Sequence, residues 1–216
     1  MNVTLLDYGA GNVPSVQRAL YRQGIQSERA TTPAQISGAK ILILPGVGHY
    51  AALIRALDNQ SLRQPLLEKI NEGIPFLGIC LGLQALFASS EEAPQLTGLQ
   101  IFPGQVEKLP STAKLPHMGW NTLQLSSESP LLEGISKQDY FYFAHSYAVT
   151  PVYEVAQHAA RFSVATPPPY ALATSQHGEK FLAVLQHKNI CAVQFHPEKS
   201  GAPGARLLAN FLRLAA

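Results

Sequence analysis

Gly78-Ile79-Cys80-Leu81-Gly82 sets a cysteine between two glycines, directly after the apolar run Ile74-Pro75-Phe76-Leu77. This is the cysteine form of the nucleophile elbow, a sharp strand-to-helix turn in which flanking side chains would not fit. Such a turn lifts the sulfur to the carboxyl end of a sheet, where open α/β folds place their ligands. The start of the helix favours a thiolate, and the N–H of Leu81 is free to face an oxyanion. Gln84, four residues on, shares the helix face of Cys80 and can reach a substrate. A lone cysteine is more often a small buried residue, so the elbow needs a base.

The stretch AVQFHPEKSG, residues 192–201, supplies a candidate base. If residues 189–196 form a strand, His196 shares a face with Gln194 and Ala192, while Cys191, Val193 and Phe195 face the other way. Cys191 then belongs to the core. Pro197 ends the ladder and turns the chain, which brings Glu198 back toward the imidazole as an orienting carboxylate. A third piece is Pro45-Gly46-Val47-Gly48, where glycines let backbone N–H groups converge on an anion. It is too short for a Walker loop and lacks the Lys-Ser/Thr ending. The seven histidines show no ligand spacing, so no metal and no cofactor is expected.

These residues need a scaffold that holds them at one sheet edge. VTLLDYG reads as a strand, followed by a helix over PSVQRALYRQG with Asn12 as N-cap, Pro14 in the first turn and Gly24 beyond the end. KILILPG and IPFLGIC are further buried-strand runs, separated by helical periodicity in YAALIRALDNQ and PLLEKINEG. LGLQALFASS continues as a short helix. This alternation predicts an α/β fold with a parallel sheet covered on both faces. After about residue 97 the runs shorten into strands (GLQIFPGQVEKL, NTLQLS, DYFYFAHSYAV, FLAVLQHKNICAVQFH), so the sheet becomes mixed. A helix over GARLLANFLRLAA closes the chain, and ATPPPYAL (165–172) reads as an exposed loop. One domain over residues 1–216 is expected.

Composition narrows the function classes. The 216 residues are 46% hydrophobic and only 14% charged, with a net charge of +2, and the cations form no run. That argues against nucleic acid as a partner and suggests surface hidden against another protein. The N-terminus lacks the basic region of a signal peptide, and no stretch approaches the roughly 18 apolar residues of a membrane span. With two widely spaced cysteines, the expectation is a soluble cytoplasmic protein without a disulfide scaffold.

Taken in order, PGVG, GICLGLQ and QFHPEKS resemble the class I (triad) glutamine amidotransferases. DYGAGN, PHMGWN (116–121) and FYFAHSY (141–147) narrow the resemblance to the glutaminase subunits of imidazole glycerol phosphate synthases. The resemblance spans nearly the whole chain. It implies a flavodoxin-like, mostly parallel mixed sheet with helices on both faces. It further implies glutamine hydrolysis by Cys80, His196 and Glu198 through a γ-glutamyl thioester. Val47, Gly48 and Leu81 would form the oxyanion hole, and Gly46, Gln84, Ser146 and Tyr147 would surround glutamine. The implied partner is a (β/α)8-barrel cyclase subunit, forming a heterodimer and receiving the ammonia. Asn12, Pro116, His117, Met118, Trp120, Tyr142 and Lys199 match positions near that interface. Two departures stand out: Pro14 replaces a longer side chain, and the stretch 156–169, with His158 and Arg161, is longer than usual. Rival readings are a different class I glutaminase, a cysteine-elbow peptidase or chaperone-like relative, and an inactive interaction module.

Overall fold

A computed structural model describes residues 2–110, 112–126, 128–149 and 173–215. The Pro-rich stretch and the departure at 156–169 lie outside the described residues. Strands β1 (Asn2–Leu6), β2 (Gln26–Ala30), β3 (Leu42–Gly46), β4 (Phe76–Cys80), β8 (Gln124–Leu125), β11 (Ala173–His177), β12 (Glu179–His187) and β13 (Ile190–Val193) form an eight-stranded sheet. Its order is β2-β1-β3-β4-β13-β12-β11-β8. The pairs from β2 through to β13 run parallel, and those from β13 to β8 run antiparallel. Two smaller sheets complete the strands: β5 (Phe87–Ser90), β6 (Phe102–Lys108) and β10 (Tyr147–Val149) in one, and β7 (His117–Thr122) with β9 (Tyr140–His145) in the other.

The period-2 pattern of the central strands builds both layers of core. Leu42 and Leu44 join one hydrophobic cluster with Phe76, Ile190 and Ala192. Ile43, Leu77, Ile79, Cys191, Val193 and Phe195 join the other. Alternate residues thus face opposite sides of a sheet buried on both. Helices α3 (Tyr50–Asn59), α4 (Arg63–Asn71) and the short α5 (Leu81–Gln84) line the first face. Helices α1 (Val13–Tyr21) and α6 (Gly201–Leu214) line the second. None of the helices among the described residues is long and apolar enough to cross a membrane.

Three elements differ from expectation. The helix expected over LGLQALFASS ends at Gln84, and Phe87–Ser90 is instead a strand paired with β6. The polar segment Gln26–Ala30 is an edge strand, where charged side chains are tolerated and guard against further pairing. The five-residue helix α2 (Pro33–Ser37) starts with a capping box between Thr32 and Gln35.

Positioning of the site depends on a close approach between β3 and the turn after β4. A Cβ on Gly82 would lie 2.0 Å from the Leu44 carbonyl oxygen, and one on Gly78 would lie 2.6 Å from the Gly82 oxygen. Both glycines are there because backbone meets backbone. Replacing Gly82 with Ala is expected to cost about 3 kcal/mol through overpacking, read as a lower urea midpoint with an unchanged slope. A midpoint equal to the parent's would contradict the close approach.

Candidate active site

Cys80 is the last residue of β4 and adopts φ 54°, ψ −106°, a backbone region that costs a non-glycine residue of order 1–3 kcal/mol. Strain of this kind persists where surrounding packing over-determines it, and it commonly marks a functional turn. Only four residues of helix follow, so the macrodipole that the sequence suggested as a thiolate stabiliser is short. The electrostatic partner is His196 instead.

Burial alone would lower the pKa of His196, but the charge and hydrogen bond of Cys80, together with those of Glu198, raise it well above its usual value. The imidazole is 2% exposed, and its Nδ1 lies 2.9 Å from Glu198 Oε1, whose side chain is 1% exposed. A raised histidine pKa keeps the proton on the ring, between the Glu198 carboxylate and the sulfur. The carboxylate has a second donor that sequence reasoning missed. Asn12, the N-cap of α1, makes no side-chain cap but donates Nδ2–H to Glu198 Oε1 at 3.1 Å. The turn after His196 is a short 3-10 segment, Pro197–Lys199, which returns Glu198 to the imidazole as the Pro-induced turn predicts.

Gln194 is a further residue that the motifs left unassigned. It lies on the face shared with His196, fully buried, and donates Nε2–H to Cys80 Sγ at 3.5 Å. Its Oε1 accepts from Gln84 Nε2, which also donates to the Tyr147 carbonyl at 2.8 Å. Gln84 Oε1 is buried without a hydrogen-bond partner. The alternation of the sequence HPE strand put Gln194 on the correct face, although its partner could not be read.

A cavity of about 270 Å³ opens over the sulfur. Val47, Gly48, Leu81, Gln84, Ser146 and Tyr147 line it together with Cys80 and His196. Register pairs Gly46 with Cys80, so the Gly46-Val47-Gly48 turn begins beside the nucleophile, and Gly48 has a φ of 91° that suits glycine. Glu92, not expected from sequence, contributes a carboxylate to the wall while its Oε2 accepts the Tyr50 backbone N–H at 2.7 Å. Met118, Tyr142 and Lys199 form part of the same wall. The Lys199 ammonium sits 5.5 Å from the Tyr142 ring centre, and Trp120 packs edge-on against Tyr142. Met118 and Trp120 are 65% and 56% exposed, and Pro116 is exposed beside them.

His117, expected near the partner interface, has its side chain turned inward. On β7 the alternation sends Met118 and Trp120 outward and turns His117 inward, where it is 5% exposed and stacked on Phe143. Among the described residues, no group of three or more His, Cys, Asp or Glu could hold a metal ion.

Comparison with known proteins shows which family the chain resembles over nearly its whole length. The chain is 42% identical over 213 residues to the imidazole glycerol phosphate synthase subunit HisH of Deinococcus radiodurans, covering 98% of this chain and 93% of that one. It is 41% identical over 209 residues to the subunit of the same name from Desulfitobacterium hafniense, covering 97% and 92%. A solved structure titled as a glutamine amidotransferase superposes with a TM-score of 0.72 over 99% of this chain and 98% of that one; at 19% identity it supports the fold alone. The family model described as "Glutamine amidotransferase class-I" matches residues 4–215, and the chain belongs to that family.

Proposed function

We propose that this chain is the glutamine-hydrolysing subunit of an imidazole glycerol phosphate synthase. The observation that carries the chemistry is the buried Cys80–His196–Glu198 arrangement at the floor of an amino-acid-sized cavity. The pathway rests on the likeness to the HisH subunits over nearly the full length.

The Cys80 thiolate attacks the side-chain carboxamide carbon of glutamine. The resulting oxyanion is held by the Leu81 N–H and by an N–H of the Gly46-Val47-Gly48 turn, which stabilise charge only as it develops. His196 gives its proton to the departing nitrogen, so ammonia leaves and a γ-glutamyl thioester remains. Water then attacks the thioester while His196 takes its proton, and glutamate is released with the thiolate restored. Glu198, held by Asn12, keeps the ring oriented and balances its charge through both steps. Glu92 is placed for the substrate's α-ammonium, and the unpartnered Gln84 Oε1 for a donor on the substrate.

Ammonia released into water would be protonated and lost as a nucleophile, so the cavity must be capped by its consumer. The Met118–Trp120–Tyr142–Lys199 rim, with Pro116 nearby and Asn12 behind Glu198, suits a barrel-shaped cyclase subunit in a heterodimer. Aromatic and cationic side chains of this kind dominate binding energy at interfaces.

Glutamate release from glutamine is expected to be low for the chain alone. It should rise when a histidine-pathway cyclase subunit and its ribotide ligand are added, and vanish with Cys80→Ala. Release that ignores the cyclase would assign a different synthase, and no release under any condition would refute the glutaminase reading. Cys80→Ala and His196→Ala should each lower kcat by several orders of magnitude, with the double variant no worse than either, because the pair acts as a unit. Additive losses would show that the two side chains act separately.

A further inference from the structure

Two buried imidazoles, one in the cavity wall and one directly behind it, have no part in the proposed chemistry. His145, on β9, lines the cavity and is 6% exposed. Its Nδ1 lies 2.9 Å from the Tyr147 carbonyl oxygen, which can only accept, so Nδ1 carries the hydrogen. In a neutral ring Nε2 is then an acceptor, and it faces Nδ1 of His117 at 3.2 Å. His117 must therefore donate from Nδ1, which leaves its own Nε2 to accept. The Asn121 Nδ2–H group stands 3.3 Å from it, and the same amide donates to the Gln176 carbonyl. Every polarity agrees, and the chain runs in one direction only.

The rings cannot easily turn. His117 is sandwiched between Phe143, with centroids 4.8 Å apart, and His177, 4.2 Å away. His145 meets the edge of Phe181 at 4.9 Å. Downstream, the Tyr147 carbonyl also accepts from Gln84, whose amide continues to Gln194 and so to the Cys80 sulfur. Adding a proton to either imidazole sets two N–H groups against each other and breaks the sequence of donors.

We infer that the His145–His117 pair is a positioning device, locked as two neutral Nδ1–H tautomers, that pins the Tyr147 carbonyl and through Gln84 shapes the glutamine cavity. The kinetic meaning of this inference rests on the glutaminase reading; the tautomers themselves do not. Burial, followed by the neighbouring imidazoles, holds His145 at about 3 and His117 at about 4. Among the described residues, the titratable groups facing the pair are His177 and His196. Unfolded histidines titrate near 6.5, so between that value and about 3 the folded chain binds fewer protons. Stability from this pair is full above about 6.5 and drains as the pH falls toward 4 and then 3.

The test uses two substitutions with opposite consequences. His117→Phe keeps the ring stack but removes the donor to His145, whereas His117→Asn keeps an N–H at the Nδ1 position and loses the stack. Glutamine binding is measured by calorimetry in a Cys80→Ser background, where no turnover occurs. The expected result is a Kd at least fivefold weaker with Phe and within about twofold of the parent with Asn, although Asn is the less thermally stable of the two. A purely structural role reverses that order and would overturn the inference. Nitrogen-15 spectra of the unsubstituted chain at neutral pH should show both rings as Nδ1–H tautomers. An imidazolium or an Nε2–H form at either ring refutes it, even if a variant fails to fold. Absence of glutamine binding in the Cys80→Ser parent would count against the glutaminase reading and leave the spectra to decide the tautomers.

Discussion

Backbone packed directly against backbone, where the turn after β4 presses on β3, is the constraint around which the site is arranged. Because no side chain fits at Gly78 or Gly82, the turn can sit against the Leu44 carbonyl, and the chain must reverse sharply at Cys80. The reversal is achieved in an unfavourable backbone conformation at the cysteine itself. In exchange, the sulfur stands at the carboxyl edge of the parallel strands, beside the Gly46 turn on one neighbour and beneath His196 at the end of the other. Parallel pairing of β3, β4 and β13 thus brings three distant stretches of sequence to one edge, as expected for a ligand site in an open α/β sheet.

Around that edge the polar side chains are buried and linked by hydrogen bonds, with Gln84 Oε1 and Glu198 Oε2 left without a partner. Glu198 accepts from both His196 and Asn12, and Gln194 bridges Gln84 to the sulfur. In such surroundings each charge is strongly felt, which is why His196 holds its proton more tightly while His117 and His145, lacking a carboxylate, give theirs up. The same residue type is therefore held charged on one wall and neutral on the next. What differs is the partner each ring meets after burial.

Much of this was legible in the sequence where one physical requirement leaves a narrow choice of residue. The elbow needs glycines, the turn after His196 uses proline, and buried parallel strands need unbroken apolar runs; Cys80, His196, Glu198 and the core strands follow. Residues whose roles come from long-range contacts were not legible. Asn12 reads as a cap, yet its amide turns to a carboxylate 186 positions away. The edge strand Gln26–Ala30 buries little, so it carries no hydrophobic period, and the strand at Phe87–Ser90 resembles the helix before it. A motif match gives His117 its position along the chain, whereas the pleat decides that its side chain turns inward. The short capping box at Thr32 was readable from Thr-x-x-Gln but marks a helix too brief to show periodicity.

Of the two buried cysteines, Cys80 is the proposed nucleophile, made reactive by its neighbours. Cys191 is a useful internal control, since burial pushes its thiol up to about 12. The most direct measurement is peptide mass analysis after treatment with a glutamine-derived chloroketone, with and without excess glutamine. The expected result is a single adduct on Cys80 that glutamine suppresses and that forms far more slowly in His196→Ala. Labelling shared with Cys191, or labelling of Cys80 that glutamine does not suppress, would contradict it.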